Sequence, residues 1–181
     1  IARDGLALWH AERLTQLRPR FVASFQRLGY NADDAAIAAD TVHDTLQRAL
    51  TEPDSRWILS AHTQAGCEVP LSSLDDQDFT GALSGETDVT NFREAASVRR
   101  HVIDRTFIEN NVRWIIDYKT LGDDRTLSGS ALETRLREKA ESYRPQLQRY
   151  AALYAHESQQ GITIRTAIFF PAHGKLITFE L

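Results

Sequence analysis

Residues 98–120, VRRHVIDRTFIENNVRWIIDYKT, constrain the fold more tightly than any other stretch. Val, Ile, Phe and Trp crowd both sides of Asn110-Asn111, and such side chains suit strands. Asn tolerates positive φ, so the pair predicts a type I′ turn joining two antiparallel strands. With that turn Glu109 opposes Val112, and Asp104 lies directly across from Asp117. Side chains alternate along a strand, so Asp117 and Lys119 share a face while Tyr118 points the other way. Opposed residues have Cβ atoms about 4.5–5.5 Å apart, and like charges there destabilise the sheet. Two carboxylates so placed call for a cation or a proton between them. Ile103, Phe107, Val112, Trp114, Ile116 and Tyr118 fall on the other face, predicted as core, with Arg105 the misfit among them. The hairpin is therefore a candidate metal site.

Three short stretches extend the argument: VID at 102–104, IIDYKT at 115–120 and QLQRY at 146–150. D-Y-K alone is weak. An Asp, then an apolar strand ending D-x-K-T, then Q-x-x-x-Y on a helix, in that order, is more specific. Together they resemble the PD-(D/E)XK nuclease domain of the RecB/AddA type, found at the C-terminus of UvrD/Rep-like helicases that act on DNA ends. The resemblance covers the second half well and the helical first half loosely.

The resemblance implies an α/β fold, a restriction-endonuclease-like mixed β-sheet flanked by helices, with a helical N-terminal part. It implies a Mg²⁺-dependent deoxyribonuclease (Mn²⁺ as the substitute metal) hydrolysing phosphodiester bonds, an exonuclease of DNA double-strand-break repair and recombination. Its partners would be linear DNA ends, a helicase motor in the same chain and a second helicase-nuclease subunit, in the cytoplasm. Asp104 and Asp117 would hold the metal, with the Tyr118 carbonyl and Glu68 as further ligands; hard oxygen ligands suit Mg²⁺. Lys119 would orient or help deprotonate the attacking water and offset charge at phosphorus. Gln146 and Tyr150 would position the phosphate or Lys119. Two departures stand out. Relatives carry Gly three residues before the first Asp, where this chain has His101. Their G-T-x-x-H-like motif near the start of the domain has no counterpart here and is expected upstream of Ile1.

At 181 residues the chain suits one domain, residues 1–181, divided into a helical part at 1–52 and an α/β core at 53–181. It begins at Ile1 and contains no Met, as expected of a segment excised from a longer helicase-nuclease chain. No apolar run reaches membrane-spanning length, and no signal-peptide pattern opens it. The single cysteine, Cys67, excludes an internal disulfide and a Cys-based zinc site, fits a reducing compartment, and is expected to be part-buried. The net charge of −4 is unevenly spread: residues 1–98 carry 8 basic and 15 acidic residues, whereas 99–149 carry 11 and 8. A phosphate backbone would be drawn to the second segment, which holds the hairpin.

Along the chain, Leu14, Leu17, Phe21, Phe25 and Leu28 mark helical spacing over 6–28, with Pro19 expected to divide it or open a second helix. Asn31 and Asp34 predict an N-cap for a helix turning Ile37, Val42, Leu46 and Leu50 inward and stopping before Pro53. Trp57-Ile58-Leu59 suggests a short strand. Glu68-Val69-Pro70-Leu71 suggests an edge strand, since proline cannot donate to a ladder. Residues 72–94 read as a long acidic loop in which Glu86 and Glu94 compete weakly with Glu68 as ligands. Residues 131–157 are helical, and Pro145 is best placed at the first turn of a second helix, making Gln146 and Tyr150 neighbours at i and i+4. Ile162 to Phe170 fits an interior strand. Lys175 to Leu181 then alternates, with Ile177, Phe179 and Leu181 on one face. His10 and His43 are read as surface or satisfied core histidines, and His62, His101, His156 and His173 have no metal-ligand spacing among themselves. The competing functional reading is a catalytically inactive nuclease fold serving as a scaffold for DNA or subunits. A remoter one is a structural domain with a solvated polar hairpin face.

Overall fold

The computed structural model describes residues 11–74, 98–121 and 127–180. Most of the expected 72–94 loop, with Glu86 and Glu94, lies outside these residues, as do His10 and Leu181. The fold is α/β. Strands β1 (Thr63–Leu74), β2 (Val98–Glu109), β3 (Val112–Tyr118), β4 (Thr163–Phe170) and β5 (Lys175–Phe179) form one five-stranded sheet in chain order. β1, β2 and β3 make an antiparallel meander, β3 and β4 are parallel, and β5 returns antiparallel to β4. The parallel step needs a long crossover to bring the chain back to the same edge. Helices α4 (Gly129–Glu141), α5 (Arg144–Leu153) and α6 (Ala155–Ser158) supply it.

Both faces of the sheet are covered, so the expectation of a single core face is corrected. Ile103, Ile115, Leu147, Ile168 and Phe170 pack with Leu136 and Ala140 of α4 on one side. Phe107, Ile116, Ala167 and Phe169 pack with Ile58 on the other. Trp114 and Tyr118 border that second cluster as expected. The apolar, buried end of β4, Ala167 to Phe170, follows from its position: that part of a strand between two neighbours, with helices on both faces, has no solvated side. Each fully buried Ile, Leu or Phe contributes about 1.5–3 kcal/mol, so these two layers hold the sheet.

The N-terminal part is helical. α1 (Ala11–Arg27) runs through Pro19 without dividing, correcting the expected break. Before the proline, Leu14 is buried and Arg18 pairs with Asp40 of α2 (Ala32–Thr51). Asn31 caps α2 as predicted: its Oδ1 accepts from the Asp34 N–H at 2.8 Å, and its Nδ2 donates to Asp34 Oδ2 at 2.8 Å. The buried face of α2 is carried by Ala35 and Ala39, while Ile37 is 51 % exposed. Close helix packing selects the small residues and turns Ile37 outward. Leu28, also expected inside, is 74 % exposed in the turn after α1.

Trp57-Ile58-Leu59 is not a strand but the end of α3 (Pro53–Leu59), whose first turn begins with Pro53. A proline at N1 starts a helix without losing a bond, and three apolar residues carry no period of their own. Pro145 likewise opens α5, as expected. Among the described residues no helix is long and apolar enough to cross a membrane. After β4 a 3-10 turn over Pro171–His173 leads into Gly174 at φ +59, where a Cβ would come within 2.6 Å of Glu52 Cγ. Only glycine fits there.

Candidate active site

The turn at Asn110 and Asn111 has φ of +50 and +63, the left-handed pair that a type I′ turn requires. It sets the predicted register from Glu109↔Val112 to Arg105↔Ile116. The ladder ends there, one pair short of Asp104 and Asp117. Instead, Asp104 Oδ2 accepts the backbone N–H of Tyr118 at 2.7 Å, so a carboxylate takes the place of a strand carbonyl. Strict alternation also fails at this point. Ile103 packs under α4 and α5 while Phe107, four residues on, packs on the opposite face. On the outer side, β1 pairs Cys67↔Arg105 and Val69↔Ile103, leaving Glu68 level with Asp104 at φ +50. A non-glycine residue at that φ is strained, and such strain gathers where a sheet is interrupted.

β3 carries Asp117 to the same place. It is only 2 % exposed. Its Oδ1 accepts from Gln146 Nε2 at 3.0 Å. Its Oδ2 is buried without an aligned hydrogen bond and meets Lys119 Nζ as an ion pair. Burial pushes the Asp117 carboxyl above its ordinary range; Lys119 pulls it back and the neighbouring Asp104 charge pushes it further up. Burial lowers Lys119, but the Asp117 carboxylate outweighs it and the ammonium is held above its ordinary value. The Lys119 N–H bonds the Phe169 carbonyl at 2.9 Å, fixing the residue beyond the strand end.

α5 closes the arrangement. Gln146 Nε2 also reaches Tyr150 Oη at 2.7 Å, and that hydroxyl donates to the Val102 carbonyl at 3.1 Å. The relay Asp117–Gln146–Tyr150–Val102 thus ties one helix to both strands, as the i and i+4 spacing requires. Asp104, Asp117, Tyr118, Lys119, Gln146 and Tyr150 are brought together. Glu68 is exposed at the edge, and among the described residues no third His, Cys, Asp or Glu is grouped with the two aspartates.

The sequence reading missed three neighbours of this centre. Lys119 Nζ lies 4.7 Å from the centroid of the Tyr143 ring, and Lys139 Nζ lies 5.3 Å from the same centroid. The His101 ring stands edge-on to Tyr150 at 5.8 Å. The signal was present in the continuation of the Gln146/Tyr150 stripe backwards through Tyr143 to Lys139. Arg105, the misfit, is 4 % exposed and donates to the Ile58 and Ser60 carbonyls at 3.1 and 3.0 Å, a cation at the C-terminal end of α3. Cys67, expected part-buried, is exposed because it lies on edge strand β1; its sulfur receives Arg105 Nη1 at 3.3 Å. Compared with protein-family models and with curated proteins, the chain matches none.

Proposed function

We propose that the chain is a Mg²⁺-dependent DNA nuclease domain of the PD-(D/E)XK type, with Mn²⁺ as the substitute metal. The observation that supports it most is the contact of Lys119 with a buried Asp117 that is also held by the Gln146–Tyr150 pair from a separate helix. An ordinary solvated strand face has no need of a buried carboxylate, a lysine and a glutamine converging from two elements. A mixed sheet with helices on both faces and the site at the ends of its central strands is compatible with a restriction-endonuclease-like arrangement.

The donor set fits a hard divalent cation. Asp117 Oδ2 lacks an aligned hydrogen bond, and Asp104 is close enough for its charge to weigh on Asp117. These two would hold the ion, with the Tyr118 carbonyl and the edge carboxylate Glu68 as further ligands. The ion would supply Lewis acidity to the phosphoryl oxygens and a more acidic water. Lys119 would orient the attacking water and offset negative charge developing at phosphorus. Gln146 holds Asp117 in place, and Tyr150 braces Gln146 against the Val102 carbonyl. By the resemblance, the module works beside a helicase motor, with a second helicase-nuclease subunit, on linear DNA ends in double-strand-break repair.

The test is incubation of the protein with linear DNA and Mg²⁺ or Mn²⁺, with Asp117→Ala as control. Metal-dependent release of nucleotides, lost in the variant, is the expected result. Cleavage equal in both proteins, or none in the wild type, would overturn the reading.

A further inference from the structure

Helices α4 and α5 meet at Tyr143, and their junction carries Lys139, Tyr143, Gln146 and Tyr150 at spacings of four, three and four along the chain. The last two residues hold Asp117. The first two do something else. The Tyr143 ring has Lys119 Nζ at 4.7 Å and Lys139 Nζ at 5.3 Å from its centroid, so the two ammoniums are no more than about 10 Å apart. Both are attracted to the ring's electron-rich face, yet they repel each other. Lys119 is neutralised by Asp117. Lys139 meets no carboxylate among the described residues, although it is half-buried and close to a centre that would receive an anion.

We propose that Lys139, set by the Tyr143 ring, is a second phosphate-binding position that takes the backbone phosphate next to the one being cleaved. The inference rests on the nuclease reading above and adds a substrate contact to it. Phosphates of one strand follow one another every 3.4 Å of helix axis, so ammoniums separated by less than about 10 Å reach neighbouring phosphates of the same strand. Lys139 lies in the last turn of α4, where the helix end favours a cation but supplies no counter-ion of full charge. Tyr143 is a positioning residue: it touches both lysines and holds the distance between them.

The experiment is anisotropy of a fluorescent oligothymidylate with the full-length protein in EDTA, read between about 50 and 200 mM salt. Lys139→Gln should weaken binding and reduce the slope of log K against log salt by about 0.7, the loss of one phosphate contact to a single strand. Lys139→Met, which keeps the aliphatic stem, should do the same, and Lys139→Arg should restore the slope. Tyr143→Phe should bind as the wild type, whereas Tyr143→Leu should bind like Lys139→Gln. With Mg²⁺, Lys139→Gln should raise KM several-fold more than it lowers kcat. Wild-type binding and cleavage with an unchanged slope in folded Lys139→Gln and Lys139→Met would overturn this inference and leave the nuclease reading intact. A wild type that neither binds nor cleaves DNA would overturn both.

Discussion

Lys119 is the residue at which charge and chemistry meet most directly. Its ammonium meets Asp117 Oδ2, the oxygen that a divalent cation would need on the proposed reading, so the two would compete for one position. Lys119→Ala should therefore bind Mg²⁺ as tightly as the wild type or more tightly, by up to about tenfold, while cleavage falls at least about 10²-fold, the scale of losing one charged group that stabilises the transition state. Isothermal titration and a DNA cleavage assay on the same variant check both halves; weaker metal binding with cleavage retained would reverse the assigned roles. Tyr118, one residue earlier, faces the other side of the sheet. Burial pushes its phenol from 10.0 up to about 12. The folded chain thus keeps a proton that the unfolded chain gives up, so stability is intact below pH 10 and declines as pH rises towards 12. Lys119 acts in the same direction: its contribution is complete below its ordinary 10.5 and is lost as pH climbs through its raised value. Urea midpoints measured across this range should fall less steeply in Tyr118→Phe than in the wild type.

Among the elements, the short helix α6 is held by one buried ion pair. Arg113 of β3 is 4 % exposed and donates through Nε and Nη2 to Glu157 at 2.8 and 2.7 Å, with a further bond to Gln64 Oε1 at 2.6 Å. Removing one partner strands the other in a dry site, so Arg113→Ala should cost about 3–5 kcal/mol, whereas an apolar pair such as Arg113→Met with Glu157→Leu should recover most of it. Denaturant midpoints of the single and double variants decide this. The elements also show which features were legible in advance. The hairpin register was readable because a two-residue turn with positive φ at both positions leaves little choice of pairing, and Asn31 and Pro145 each marked a boundary through backbone chemistry local to themselves. Three features were not legible. Trp57-Ile58-Leu59, at the end of α3, is too short to display a period that separates helix from strand. The size of Ile37 predicts burial, whereas the buried positions of α2 belong to Ala35 and Ala39. The interruption at Asp104 was invisible because a side chain replaces a backbone acceptor, and no pattern of types announces that.

For the whole molecule, two aspartates gathered by folding imply that a cation binding them stabilises the native state alone. Mg²⁺ should raise the unfolding midpoint of the wild type, by about 2.7 kcal/mol in stability at a concentration one hundred times Kd, and leave Asp117→Ala unmoved. Differential scanning calorimetry with and without the ion checks it, and equal shifts in both proteins would exclude the two-aspartate site. The parallel pairing of β3 with β4 has a further, kinetic consequence. The β2–β3 hairpin is local and can form in about 1–10 μs, whereas β4 joins only after the α4–α6 crossover has closed, and such non-local pairings come late. On that order, Asp104, Asp117 and Lys119 would stand on a solvated hairpin before Gln146 and Tyr150 arrive. Docking of the second half is what buries Asp117, and burial is what raises its proton affinity. In weak acid, just above the ordinary carboxyl range, the late folding step takes up a proton that the early one does not, and its rate rather than the hairpin's should carry the pH dependence.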